Sequence, residues 1–287
     1  VSMRDGIISG IFDRKPLDYE GAVNAMLGRK IHLDQIVVRN SAKAVVTIEG
    51  LRIAPGARPI SLTLGDGEVV AITGLVGVGK TALAETLFGV RQPLAGTMTL
   101  NGRPYAPETA GEAIAAGVFL VAKDRGENGI VQGFNIQENI SLPFHKRMSR
   151  FAVLRRRLER ATARRQIEEL GIVCRSEKDD MSELSGGNQQ KVMVARWMAQ
   201  DARLFILDEP FQGVDISARR DIAAKLRASA NGRATLLFVT ELDEALETAD
   251  RILVMSEQTI VGEHRNADVD LDRLLAEVAG GPLHSAA

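Results

Sequence analysis

Residues 69–88 read VVAITGLVGVGKTALAETLF. The apolar run Val69–Thr73 predicts a buried strand, and the spacing after Gly79 predicts a helix to Phe88. Between them, Gly74-Leu75-Val76-Gly77-Val78-Gly79-Lys80-Thr81 fits G-x-x-x-x-G-K-[ST] in the strand–loop–helix context the pattern needs. The glycines let the backbone curl so that successive N–H groups face phosphate oxygens. The following helix adds its positive N-terminal end. The candidate phosphate-binding set is therefore Gly74, Leu75, Val76, Gly77, Val78, Gly79, Lys80, Thr81 and Ala82. Lys80 is placed to neutralise charge on β- and γ-phosphates, and the Thr81 hydroxyl to ligate Mg²⁺.

A second apolar run, Leu204-Phe205-Ile206-Leu207, ends in Asp208-Glu209-Pro210. A buried strand of this kind delivers its next residues to the C-terminal edge of a sheet, where ligands bind in α/β folds. Asp208 is the candidate Mg²⁺ ligand beside Thr81. Glu209, one step further, is the candidate that orients or deprotonates an attacking water.

Around these two sites the chain alternates strands and helices. Strands are expected in the β-rich segment from Ala44, near Thr97–Leu100, at Val118–Val121, at Thr235–Val239 and at Arg251–Met255. Helices are expected at Ser217–Ser229 and Leu242–Thr248, and a mainly helical stretch over about 135–200. Apolar strands alternating with helices predict a mostly parallel, covered sheet. The expected class is α/β: a P-loop NTPase fold with a small antiparallel β-subdomain in front and an inserted helical subdomain.

Composition narrows the field. The 287 residues are 45% hydrophobic and 25% charged, which excludes wholesale disorder. A formal charge of -1 and an aromatic content of 4% argue against a nucleic-acid partner. No run approaches the ~20 apolar residues needed to span a bilayer. The first residues, Val1-Ser2-Met3-Arg4-Asp5, show no apolar core of a secretory signal. The single cysteine, Cys174, cannot close an internal disulfide and reads as a small apolar residue.

The two ends of the chain repeat each other at an offset of 252 residues. Met3 aligns with Met255, Ile8 with Ile260, Gly10 with Gly262, Asp18 with Asp270 and Gly28 with Gly280. Residues 1–30 are thus expected to be the tail of a preceding homologous unit. Residues 31–43 are read as a linker, 44–280 as the main domain and 281–287 as a tail.

Upstream of Asp208 lies Leu184-Ser185-Gly186-Gly187-Asn188-Gln189-Gln190-Lys191. With the two motifs above, this order resembles the ATP-binding cassette family, and the LSGGNQQK form is similar to its sugar-importer branch. The resemblance implies a head-to-tail dimer of cassettes, each ATP lying between the phosphate loop of one and the signature of the other. Ser185, Gly186, Gly187 and Gln189 would then face a partner's nucleotide, and Asp215 in Gly213-Val214-Asp215 would sit in the dimer-contact loop. It further implies ATP and Mg²⁺ as cofactors, membrane permease subunits, a periplasmic or extracellular solute-binding protein as indirect partner, and a peripheral place on the cytoplasmic face of a bacterial inner membrane. The branch commonly carries two cassettes in one polypeptide. The chain resembles the second, C-terminal one, with Met3–Arg29 as the end of the first.

The chain departs from the family pattern at three places. The usual switch histidine position holds Glu241, whose ionised carboxylate would repel a γ-phosphate unless protonated or turned away. The usual glutamine-loop region reads Val121-Ala122-Lys123-Asp124-Arg125, and no aromatic residue occurs between Ala44 and Thr73. These departures leave two readings open: an ATPase driving import of a monosaccharide or similar small polar solute, its own site slow, or a largely non-hydrolytic dimerisation module whose signature completes the partner's site. A cassette acting on DNA or the ribosome is disfavoured by the neutral charge and the lack of a long coiled-coil insertion.

Lys146, Arg147, Arg150, Arg155, Arg156, Arg157, Arg160, Arg164 and Arg165 form a basic stretch opposed only by Glu159. Phe151, Leu154 and Leu158 supply an apolar stripe within it. It reads as a solvated helix face, as a surface near anionic lipid headgroups or membrane subunits, or, least favoured, as a nucleic-acid contact. Met193, Trp197 and Met198 are expected in the core. His32, His145, His264 and His284 show no metal-ligand spacing and are expected at the surface.

Overall fold

The computed structural model describes residues 2–4, 7–11, 38–39, 43–151 and 153–280. A four-stranded antiparallel sheet is built from β1 (Ala44–Arg52), β2 (Ile60–Gly65), β4 (Ala95–Leu100) and β5 (Arg103–Pro104), in the order β2-β1-β4-β5. The main sheet has six strands. It comprises β3 (Val69–Thr73), β6 (Val118–Val121), β7 (Leu204–Asp208), β8 (Ala234–Phe238), β9 (Arg251–Ser256) and β10 (Thr259–Arg265), in the order β10-β9-β3-β8-β7-β6. All neighbours are parallel except the terminal β9–β10 pair.

Every residue of β3, β7 and β8 is buried. Helices cover such strands on both faces, so they carry continuous apolar runs rather than an alternating pattern. The α-helices of six residues or more among the described residues are α1 (Lys80–Leu87), α2 (Ala110–Ala116), α3 (Ile136–Ser141), α4 (Arg156–Leu170), α5 (Gly186–Met198), α6 (Ile216–Ala228), α7 (Leu242–Thr248) and α8 (Leu271–Val278). The main sheet and the helices around it match the expected α/β class.

The mainly helical stretch, α3 to α5, is tied to the sheet by aromatic packing. Trp197 near the end of α5 stacks on Phe119 of β6 with centroids 5.4 Å apart, and meets Phe144 and Phe88 edge-on. Such ring pairs contribute roughly 1 kcal/mol each beyond their buried area. Met193 and Trp197 are buried as expected, and Met198 packs partly buried against the same core.

Several elements escaped the pattern reading. The strand β10 and the helices α2 and α8 were not anticipated. The five-residue π-turn Arg125–Gly129 and the small hairpin pairing Ser149–Arg150 with Val153–Leu154 were also missed. One expectation fails as a consequence. His264 is buried, not exposed, and its Nε2 lies 2.7 Å from the Glu277 carboxylate. Alternation along β10 turns Gly262 and His264 inward beneath α8, which carries Glu277. His145 is half-buried beside Ser141, while His32 and His284 lie outside the described residues. The expected tail at 1–30 and linker at 31–43 also fall largely outside them; the described part includes the hairpin of Ser2–Arg4 with Ile7–Gly10.

Candidate functional site

Three parallel strands end side by side and deliver the site. β3 leads into the glycine loop, β7 into Asp208 and Glu209, and β8 into Val239 and Thr240. Adjacent strands in register put all three ends at one edge, the usual place for ligands in an α/β sheet. The loop itself is open, with Leu75 and Val76 exposed. The first-turn N–H groups of α1 follow immediately, and these lack intrahelical acceptors by geometry. Gly74 has φ +150°, and a Cβ there would stand 2.2 Å from the backbone oxygen of Met255. No other residue fits that crossing of loop and β9.

Lys80 is buried, and its ammonium donates to the carbonyl oxygens of Gly74 at 2.8 Å and Val239 at 3.0 Å and to the Thr240 hydroxyl at 2.8 Å. Glu209 Oε1 lies 3.4 Å away. Burial lowers the Lys80 pKa, opposed by the Glu209 carboxylate.

Glu209 is equally buried. Its Oε2 accepts the Thr240 N–H at 3.1 Å, and its Oε1 accepts the Thr240 hydroxyl. Its backbone adopts φ +49°, an uncommon conformation for a non-glycine residue, anchored by the Glu209 N–H to Phe238 O bond at 2.8 Å. A carboxylate with both oxygens tethered has a fixed direction, as a group that must orient a water needs.

Asp208 is buried and its Oδ1 has no hydrogen-bond partner among the described residues. Desolvation raises its pKa, while a hydrogen bond from the Thr81 side chain and the nearby Lys123 and Lys80 charges pull the other way. Thr81 and Asp208 line the same cavity, and a hydroxyl with an orphaned carboxylate oxygen is an all-oxygen donor set that fits Mg²⁺.

The signature stretch starts α5. Ser185 caps the helix and accepts the N–H of Asn188, and Asn188 Nδ2 returns a bond of 3.0 Å to the Ser185 hydroxyl. Gln189 is placed differently from expectation. Its amide nitrogen donates to the carbonyls of Met181 and Leu184, so its donors shape its own loop instead of facing outward. Asp215 caps α6 by accepting the Ala218 N–H at 2.9 Å, and a Cβ on Gly187 would lie 3.1 Å from its Oδ2.

Glu241 is exposed at the start of α7 and makes no capping bond. Its neighbour Thr240 is the side chain that reaches Lys80 and Glu209. Pattern reading missed Thr240; the polar residue directly after a buried strand was the available signal. It also missed Arg125, whose guanidinium donates to the Gly186 carbonyl. A cavity of about 780 Å³ is lined by Thr81, Asp208, Lys123, Arg125, Gln212, Phe88 and Trp197 among others.

Comparison with known proteins agrees with this geometry. A family model described as ABC transporter matches residues 57–212. The ribose import ATP-binding protein RbsA 2 of Rubrobacter xylanophilus is 35% identical over 282 residues, covering 97% of this chain and 54% of that protein. The arabinose import ATP-binding protein AraG of Azospirillum brasilense is 38% identical over 277 residues, covering 95% of this chain and 53% of that protein. The chain thus spans about half the length of the curated relatives it matches. Among solved structures, the ADP conformation of the ATP-binding cassette MJ1267 superposes with a TM-score of 0.69 at 20% identity, covering 83% of this chain and 99% of that one. With the family model spanning more than half of the sequence and the cassette fold reproduced around the glycine loop, this chain belongs to the ABC transporter family.

Proposed function

We propose that the chain is a nucleotide-binding and ATP-hydrolysing cassette, the C-terminal one of a fused pair, that drives uptake of a monosaccharide or similar small polar solute. The observation that carries the proposal is the fixed Glu209 carboxylate, 3.4 Å from Lys80 and next in chain to the unpartnered Asp208 Oδ1. The relatives named for ribose and arabinose import support the solute class.

ATP is the substrate. Its phosphates lie along the loop amides and the start of α1, and Lys80 exchanges one of its three protein acceptors for a phosphate oxygen. Thr81 and Asp208 are the residues that would hold Mg²⁺, whose charge would offset that of the phosphates. Glu209 accepts a hydrogen bond from the attacking water and aligns it with the γ-phosphorus. Thr240 keeps both Glu209 and Lys80 in place.

The placement as a second cassette is supported by the N-terminal hairpin. Met3 pairs with Ile8 and Arg4 with Ile7, with an irregularity between Ser2 and Met3. In β9–β10, Met255 pairs with Ile260 and Ser256 with Thr259, with an irregularity between Val254 and Met255. The two hairpins share register and bulge position at the same 252-residue offset as the sequence repeat. The partners in this reading are the first cassette, head to tail, and membrane permease subunits with a solute-binding protein beyond them, the chain lying at the cytoplasmic face of the membrane.

The exposed Glu241 and the Lys123 segment support slow turnover at this cassette's own site, with Ser185, Gly186 and Gly187 completing the partner's. The experiment is a pair of substitutions in the full-length protein, Glu209→Gln and the matching carboxylate of the first half, read by solute-stimulated ATP turnover. The first is expected to leave most turnover and the second to abolish it; the reverse outcome defeats the asymmetry. Loss of Mg-ATP binding is expected on Lys80→Ala, and unchanged binding by calorimetry defeats the nucleotide site itself.

A further inference from the structure

The basic stretch resolves into two parts with different partners. On the body of α4, Arg156 pairs with buried Glu159, and Arg160 and Arg164 pair with buried Glu177. Those cations belong to the fold. At the tip, Lys146, Arg147, Arg150 and Arg157 are exposed, and no carboxylate among the described residues lies within ion-pair distance of them.

The same tip carries the exposed apolar side chains. Phe151 is 88% exposed, Val153 69% and Leu158 38%. The hairpin explains why. Leu154 pairs with Ser149 and turns into the core, and Met148 below it is buried, so the root is anchored. Val153, one residue back, turns outward by the alternation of a strand. Phe151 sits at the turn with φ +51°, an unfavourable backbone for a bulky side chain. The Arg150 guanidinium lies 5.3 Å from its ring centroid.

We infer that this tip, Lys146 to Leu158, is a membrane-surface anchor that inserts Phe151 and Val153 among the headgroups of anionic lipids. The exposed apolar residues are flanked along the chain by exposed cations without ion-pair partners among the described residues, and that combination of charge and apolar surface matches the interface of a negatively charged leaflet. The long arginine and lysine stems allow their charges to stay at headgroup level while the rings go deeper. A protein groove would be expected to supply carboxylates to several cations at fixed positions; long, exposed and unpaired cations fit a fluid anionic surface better. The inference does not depend on ATP binding or on the solute.

The test is flotation of the 287-residue chain with protein-free vesicles of phosphatidylglycerol and phosphatidylcholine, against phosphatidylcholine alone. Binding is expected only with the anionic lipid and is expected to fall with salt. Phe151→Ser is expected to weaken it severalfold, and Arg147→Glu with Arg157→Glu by more than about tenfold, each cation near such a surface counting for roughly fivefold. Neither change touches the nucleotide site, so Mg-ATP binding and the circular dichroism melt should stay unchanged. Phe151→Trp should give a blue-shifted emission and quenching by brominated lipid. No binding to anionic vesicles overturns the inference, as does binding that ignores both substitutions. Association that requires a membrane protein in the vesicle also overturns it and assigns the tip to a protein partner.

Discussion

The Arg125 guanidinium donates to the carbonyl oxygen of Gly186 at 2.8 Å, and the same group lies 2.9 Å from where a Cβ on Gly213 would stand. One side chain thus joins three segments: the turn after β6 that lines the cavity beside Asp208, the signature loop, and the loop before Asp215. The cavity lining and the signature share one guanidinium, and removing it tests whether the two are coupled.

Replacing Arg125 by Ala should therefore loosen the signature without disturbing the phosphate loop. The charged hydrogen bond is half-exposed, and losing it should cost about 1 kcal/mol locally. Hydrogen exchange at the amides of 186–189 should quicken about fivefold, with those of 75–81 unmoved. Equal acceleration in both loops would contradict the proposed link.

Thr240→Ala removes the hydroxyl that bridges Lys80 and Glu209. Hydrolysis of ATP held at this cassette's own site, read by single turnover in the assembled two-cassette protein, should slow by about tenfold, within the usual range for misplacing an acid–base group, while solute-stimulated turnover stays mostly intact as for Glu209→Gln. Thr240→Ser keeps the hydroxyl and should restore the single-turnover rate. If Ser behaves like Ala, the bridge is not the cause.

Gly74→Ala places a methyl group into the Met255 carbonyl. Backbone strain and overpacking together should destabilise the fold by about 3 kcal/mol. Urea unfolding should show a lower midpoint with the same slope. A midpoint within experimental error of the parent would mean the loop can retreat from β9.

Glu244 gives a pH signature. Burial pushes its carboxyl up to about 8 from an ordinary 4.5, helped by Asp243, Glu209 and Glu241 and opposed by Arg219. Between these values the folded state holds a proton that the unfolded state has released. Stability must then fall as pH rises through that window, by at most about 1.4 kcal/mol per pH unit from this group. Glu244→Gln should flatten the slope of unfolding free energy against pH between 5 and 8. An unchanged slope would place its origin in another group.

Legibility followed the length scale of the interaction. The loop Gly74–Thr81, Asp208 and Glu209 could be read because each is a local pattern whose chemistry sits within a few residues of a strand end. Leu242–Thr248 and Val118–Val121 were read to the residue for the same reason. His264 was misread because its burial depends on α8 folding back over β10, a contact made between elements rather than along the chain. Gln189 was set facing a partner's nucleotide by the resemblance; the carbonyls its amide reaches, at Met181 and Leu184, are set by how the loop turns.

Sequence alone determined the strand–loop–helix proposed to bind phosphate, the order of the three motifs, and the repeat linking the two ends, because backbone curvature, apolar periodicity and residue type act over short stretches of chain. Only the tertiary structure decided that Thr240 rather than Glu241 meets Lys80, that Arg125 joins the cavity to the signature, and which arginines of the basic stretch are already neutralised. Those outcomes depend on which strand ends and loops come to lie within about 3 Å of one another, the reach of a hydrogen bond, and no local pattern along the chain carries that distance.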